Sequence, residues 1–214
     1  MYQLKNRRLQ KISCSAQAYF EHFVTLGADL QTSEVLVAEN LANAPVFEEF
    51  ETGHVTTLSA TDIDELLTLV TGAALQLDAL PQSDTLVLVP DLTLIEWMRS
   101  FVSNIGSMST ERLKTGALAD AEWPRLTESI EYLRHREIQI VSGCQQWSTV
   151  LAEVEQHLKK VGTFGAVVFD SRCVTNQAQG TLELLSAESV GMRSLADMAF
   201  DANSVIVQVT NTFT

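Results

Sequence analysis

The sequence predicts an α/β protein with a mostly parallel central sheet of about five or six strands, covered by helices on both faces. Short apolar runs alternate with longer segments in which apolar residues recur at helical spacing. Two of the runs, TLVLVP (85–90) and GAVVFD (165–170), are continuously apolar, as strands buried on both faces are. Helices repeatedly separated by such strands imply a parallel sheet.

The basic head MYQLKNRRLQKIS, with Lys5, Arg7, Arg8 and Lys11, reads as a solvated tail over 1–14. One domain then spans 15–214. Residues 15–28 carry an apolar stripe of Ala18, Tyr19, Phe23, Val24 and Leu26 and read as a helix on or before the core. Val35–Ala38 is a short strand, and Asn40–Thr52, with Pro45, is a connection. His54–Ser59 is a strand. Ile63, Leu66, Leu67, Val70, Ala74 and Leu77 then place a helix over Asp62–Leu80, with Thr61 as its N-cap. Pro81–Asp84 turns into the strand at 85–90.

Ile95, Met98, Phe101, Val102 and Ile105 lie on one helical face over 92–105, and Asp91 reads as that helix's N-cap. A short helix over 110–118 precedes a longer one from an Asp120 cap to Arg134. Pro124 is tolerated in the first turn of that helix, where N–H groups lack helical partners. EIQIV (137–141) is a strand, Gln146–Val161 a helix, and 165–170 a strand ending in Asp170. A helix over Ser186–Phe200 and a strand over 204–209 complete the pattern.

The 214 residues suit one domain with a substantial core: 46% are hydrophobic and the mean hydropathy is +0.09. No apolar run approaches the roughly 20 residues of a membrane span, and the basic head lacks the apolar stretch of a secretory signal. Three widely spaced cysteines, Cys14, Cys144 and Cys173, suit thiols in a reducing cytoplasm rather than disulfides or a metal cluster. A net charge of −13 and a pI near 4.6 argue against a nucleic-acid-binding surface, with the basic tail as the one local exception.

The turn between the strand at 54–59 and its helix is the most informative stretch. A nucleotide-binding turn needs glycines, so that N–H groups close on the phosphates, and a lysine to neutralise them. This one reads Ala60, Thr61, Asp62, Ile63, Asp64, Glu65. Three carboxylates suit the helix dipole but repel a triphosphate. The turn is not built to hold ATP.

The stretch ERLKTGALADAEWPRLTESIEYLRHREIQIV (111–141) resembles the central part of the ATPase domain of DnaB-type hexameric replicative helicases, of superfamily 4. The matching residues are Arg112, Thr115, Gly116, Leu118, Asp120, Trp123, Arg125 and Leu126. The order of elements from about 53 to 210 fits as well. The resemblance implies a RecA-like three-layer α/β/α sandwich. It also places the family's functional positions on this chain. The phosphate loop (Walker A) falls within Ala60–Leu66, where no Gly-Lys-Ser/Thr stands. The glutamate that polarises the attacking water falls at Asp91, one methylene shorter, and the Mg²⁺-associated aspartate at Asp170. The glutamine that senses the γ-phosphate falls near Thr210, with Gln208 out of register. The family's C-terminal DNA-contacting loop and arginine finger have no counterpart in the sequence. Phosphoryl transfer depends on cationic stabilisation of the transition state, and those groups are gone.

The expectation is therefore a non-catalytic helicase-domain homologue with no cofactor and no metal, acting through contacts with itself or with a replicative helicase. Asp91 and Asp170 would be remnants. One alternative is an ATPase or phosphotransferase using Asp91 and Asp170 with a metal, with Arg172 or Arg193 supplying positive charge. A second is an acidic DNA mimic that competes for a basic partner, which needs the charge clustered on one face. Other chemistries find little support. His22, His54, His135 and His157 are scattered, a Cys144–His157 pair has no supporting spacing, and no Gly-x-Ser-x-Gly elbow occurs. Trp97, Trp123 and Trp147 read as packing residues.

Overall fold

Six strands form one sheet in the order β1-β4-β3-β5-β6-β2. They are β1 (Arg8–Lys11), β2 (Val55–Ala60), β3 (Ser83–Val89), β4 (Gln139–Ser142), β5 (Phe164–Asp170) and β6 (Val205–Asn211). The computed structural model describes residues 8–12, 16, 19, 50–80, 83–90, 94–143, 146–160, 164–174 and 181–211. All pairings are parallel except β1 with β4, where Arg8 stands opposite Ser142 and Lys11 opposite Gln139. The last strand is inserted between β5 and β2, so Ile206 pairs with both Val167 and Val55.

The helices are α1 (Ile63–Asp78), α2 (Leu94–Gly106), α3 (Thr110–Thr115), α4 (Glu122–Arg134), α5 (Trp147–Lys160) and α6 (Thr181–Asp201), with a 3₁₀ turn at Ser171–Cys173. The alternation of side chains along each strand divides them into two layers. Val87 and Val89 of β3 face the larger core, with Leu66 and Val70 of α1, Phe101 of α2 and Leu126 of α4. Leu86 and Leu88 face the smaller one, with Val150 and Val154 of α5 and Leu195 of α6. Trp97, at 1% exposure, belongs to the larger core, and Trp123 packs against it. Trp147 meets Phe169 edge to face at 5.9 Å. Gly191 lets α6 approach that indole: a Cβ there would come within 2.3 Å of Trp147.

The expected strands and helices of residues 53–211 are present, with boundaries shifted by a few residues at most of their ends. The largest shift is in α6, which begins at Thr181 rather than Ser186. Part of the basic head is not a tail. Arg8–Lys11 is a strand, and Ile12, Ala16 and Tyr19 after it are buried. The polar sequence RLQK hides this because an edge strand is selected for charge rather than for apolar content. The expected strand at Val35–Ala38 lies outside the described residues, as do most of the 15–28 helix and the 40–52 connection.

Two expected N-caps are displaced by one residue. Asp62, not Thr61, caps α1: its extended backbone and its carboxylate, which accepts from Glu65 N, are those of a cap. Ala121, not Asp120, precedes α4, and no side chain bonds there in the manner of a cap. Glu122 takes over that task, its carboxylate accepting from Ala119 N at 2.7 Å. Among the described residues no helix is long and apolar enough to cross a membrane.

Candidate functional site

In an open parallel sheet, ligands bind beyond the carboxyl ends of the strands. Here that end brings together the α1 turn after β2, Asp170 at the end of β5, and Val209–Asn211 of β6 between them. With one strand between them, β2 and β5 run about 10 Å apart.

The α1 turn is closed by its own acids. Glu65 N donates to Asp62 Oδ1 at 2.8 Å. Thr61 returns two bonds to Glu65 Oε2, from its N–H at 2.7 Å and its hydroxyl at 2.6 Å. The Thr61 hydroxyl and N–H hold the Glu65 carboxyl below its ordinary range. The arrangement is a variant of the capping box, with the glutamate reaching one residue further back than usual. It engages two main-chain donors, Thr61 N and Glu65 N, that an anion there would draw on. A helix N-terminus offers an anion about 0.3–1 kcal/mol. Like charges beside that terminus repel an anion, and solvent screens them only in part. Asp62, Asp64 and Glu65 supply three such charges, so repulsion wins.

Asp170 is fully buried, and Arg172 closes over it. The guanidinium donates from Nε to both carboxylate oxygens at 3.0 Å and from Nη2 to Oδ2 at 2.6 Å, while Arg172 N donates to Oδ1 at 2.9 Å. The carboxylate thus caps the 3₁₀ turn and carries a forked charge partner at once. A cation placed here would have to displace that arginine. Among the described residues, no group of three or more His, Cys, Asp or Glu side chains is arranged to hold a metal ion.

Asp91 and Cys144 lie outside the described residues, as does His22. Arg193 is exposed on α6. Gln208 is buried and accepts from the Thr57 hydroxyl at 3.5 Å, while the Thr210 hydroxyl donates to Leu58 O at 3.2 Å; both tie β6 to β2. His157 sits at the opposite, amino end of the sheet. Its Nε2–H donates to Asp84 O at 3.0 Å, and burial is the main cause holding its pKa below the ordinary 6.5.

The residues that carry the helicase resemblance build a helix–turn–helix joint. Ser109 caps α3, and Gly116 ends it at φ +73°, the left-handed conformation that favours glycine. Arg112 then pairs with Glu122 at 2.7 Å across the turn, and Leu113 and Leu126 are buried beneath it. The Thr115 hydroxyl bonds back to Glu111 O at 3.0 Å. The roles seen here are structural: capping, reversal and packing.

Sequence reasoning misses Glu65 as the group that closes the turn, although Asp62 and Glu65 stand at capping-box spacing. It singles out Arg172 for nearness in sequence to Asp170, and the structure makes it that residue's direct partner. The links from Asp84 to Gln139 and His157 have no local signal, since their partners are 55 and 73 residues away.

No family model matches the sequence, and no curated protein matches it. Solved structures do. A DnaB-like replicative helicase, described with its interactions with primase, superposes with a TM-score of 0.62 at 15% identity, over 76% of this chain and 39% of that one. A second solved structure, an ATPase domain, superposes with a TM-score of 0.59 at 15% identity, over 94% of this chain and 70% of that one. The fold is therefore the RecA-like α/β fold of helicase ATPase domains. The chain spans about two fifths of the length of the first of these proteins.

Proposed function

We propose that this chain is a non-catalytic homologue of a replicative helicase ATPase domain, acting through protein contacts, by self-association or by docking on a replicative helicase. The observation that carries the reading is the internal closure of both expected ligand positions. Asp62 and Glu65 hold two main-chain donors of the α1 turn, Glu65 N and Thr61 N, and Arg172 occupies Asp170. An ATPase needs the reverse pattern, with free N–H groups and a lysine facing the phosphates and a carboxylate free to approach a metal. Fold alone does not assign function; the chemistry of the site does. A chain with this fold and a closed site is suited to regulate, load or block a replication machine by occupying a subunit's place or surface.

Isothermal titration calorimetry with ATP and with ADP, in the presence of Mg²⁺, tests the proposal. No heat of binding up to millimolar nucleotide is expected. Micromolar binding overturns the reading and makes Asp91 and Asp170 the first residues to mutate.

A further inference from the structure

The two outer strands of the sheet differ in kind. Among the described residues each pairs on one side only, β1 with β4 and β2 with β6. Exposed edges are normally blunted by charge, proline or a bulge, because their unpaired N–H and C=O groups template further pairing. β1, RLQK, carries two cationic residues. β2, VTTLSA, carries no charge and no proline, and its six residues pair in unbroken register with β6.

The outward groups of β2 follow from the ladder. Ile206 N donates to His54 O, and Val55 is the residue opposite Ile206. In a parallel pair this directs the main-chain groups of residues 54, 56 and 58 towards β6 and those of Val55, Thr57 and Ser59 away from it. Exposed apolar side chains flank this edge at both ends. Ile63, 40% exposed, opens α1 just past its carboxyl end. Phe200, 75% exposed, lies over Gly53 at its foot, 3.8 Å from the position of a Cβ there.

We infer that β2 is an assembly edge whose occupant is β1 of a second copy of this chain, joining sheet to sheet in a head-to-tail series. The inference deepens the self-association part of the proposed function and rests on that reading. Charge complementarity selects the occupant. β1 is antiparallel to β4 and therefore to β2, so a neighbour in the same orientation presents β1 antiparallel to this edge. That direction carries Arg8 towards the carboxyl end of β2, where Asp62, Asp64 and Glu65 stand. An antiparallel β2–β2 pairing would instead set each acidic turn beside the partner's Glu51 and His54, with no lysine or arginine to meet it. The net charge of −13 per chain does not forbid assembly, because repulsion beyond about 8 Å is screened at physiological salt while strand pairing acts at contact. The contact is heterologous, so each addition leaves one free edge of each kind.

Sedimentation velocity on the full chain over a concentration series tests this, using a β2 variant, Thr57→Pro, and a β1 variant, Arg8→Glu with Lys11→Glu. Thr57→Pro removes an outward N–H that β6 does not use, and Thr57→Lys repeats the test by placing charge on the edge. Circular dichroism checks that each variant is folded. The wild-type chain is expected to sediment as species that grow with concentration. Each variant alone is expected to lose self-association. An equal mixture of the β1 and β2 variants should recover one species of two chains and nothing larger, since it contains one intact pair of edges. A wild-type chain that stays monomeric, association that survives either variant, or a mixture without the two-chain species overturns the inference. Association surviving both variants would leave the protein-contact reading in place, whereas that reading falls on nucleotide binding in the calorimeter.

Discussion

The two ends of the sheet are held by contacts of different reach. At the carboxyl end the charged groups are met by near neighbours in sequence. Asp62 binds Glu65 three residues on, Glu65 reaches back four residues to Thr61, and Arg172 reaches back two to Asp170. At the amino end the partners come from far along the chain. Gln139 donates to Asp84 at 3.0 Å, His157 donates to Asp84 O, and Arg136 pairs with Asp78 at 3.4 Å while lying over the Tyr132 ring. The lesson is that closure of the ligand end is written into short stretches of chain. The polar network at the other end exists only once the sheet has assembled, so it reports on the fold as a whole.

Four substitutions press on that contrast. The largest effect is expected from Arg172→Ala, which leaves the fully buried Asp170 without its charge partner. Breaking a buried pair by removing one member costs about 3–5 kcal/mol, to be read from urea denaturation. Adding Asp170→Asn should recover much of that loss, because the stranded charge is then gone. A similar loss in the double variant would show that the arginine acts through packing.

At the amino end, His157 gives a pH signature. Its native pKa lies below 6.5, chiefly because burial disfavours the charged form. Between that lowered value and 6.5 the unfolded chain binds the extra proton, so stability should fall as the pH is lowered through this window. The slope is at most about 1.4 kcal/mol per pH unit for one proton. In His157→Gln this part of the thermal-midpoint profile should flatten, and an unchanged profile would assign the dependence elsewhere. The smallest effect belongs to Asp62→Ala, which removes one cap and is expected to cost about 1 kcal/mol. If Asp62→Ala also conferred ATP binding in the calorimeter, acidic closure alone would be what excludes nucleotide.

The sequence carried the alternation of helix and strand because periodicity is local. Val87 and Val89 against Leu86 and Leu88 show how one apolar run serves both cores. It carried the acidic character of the α1 turn for the same reason. It did not carry β1, whose polar residues mimic a tail, and it misplaced two helix caps by a residue. At both of those helices a glutamate in the first turn reaches back to a main-chain N–H. Nor could it foresee that Arg112 and Glu122, ten residues apart, would meet across a glycine turn. That geometry turns the most recognisable stretch of the chain into a joint.

The insertion of β6 between β5 and β2 has a consequence for how the protein is made. β2 is synthesised early, yet its only partner among the described strands is about 150 residues away, as the Thr57–Gln208 contact shows. On the ribosome β2 must wait, uncharged and unpaired, until nearly all of the described chain has emerged. Contacts so distant in sequence slow folding, because the intervening chain must be ordered before they are rewarded. The waiting strand is also an aggregation hazard. Slowing translation upstream of residue 205 should therefore lower the yield of native protein more than slowing it after residue 211 does.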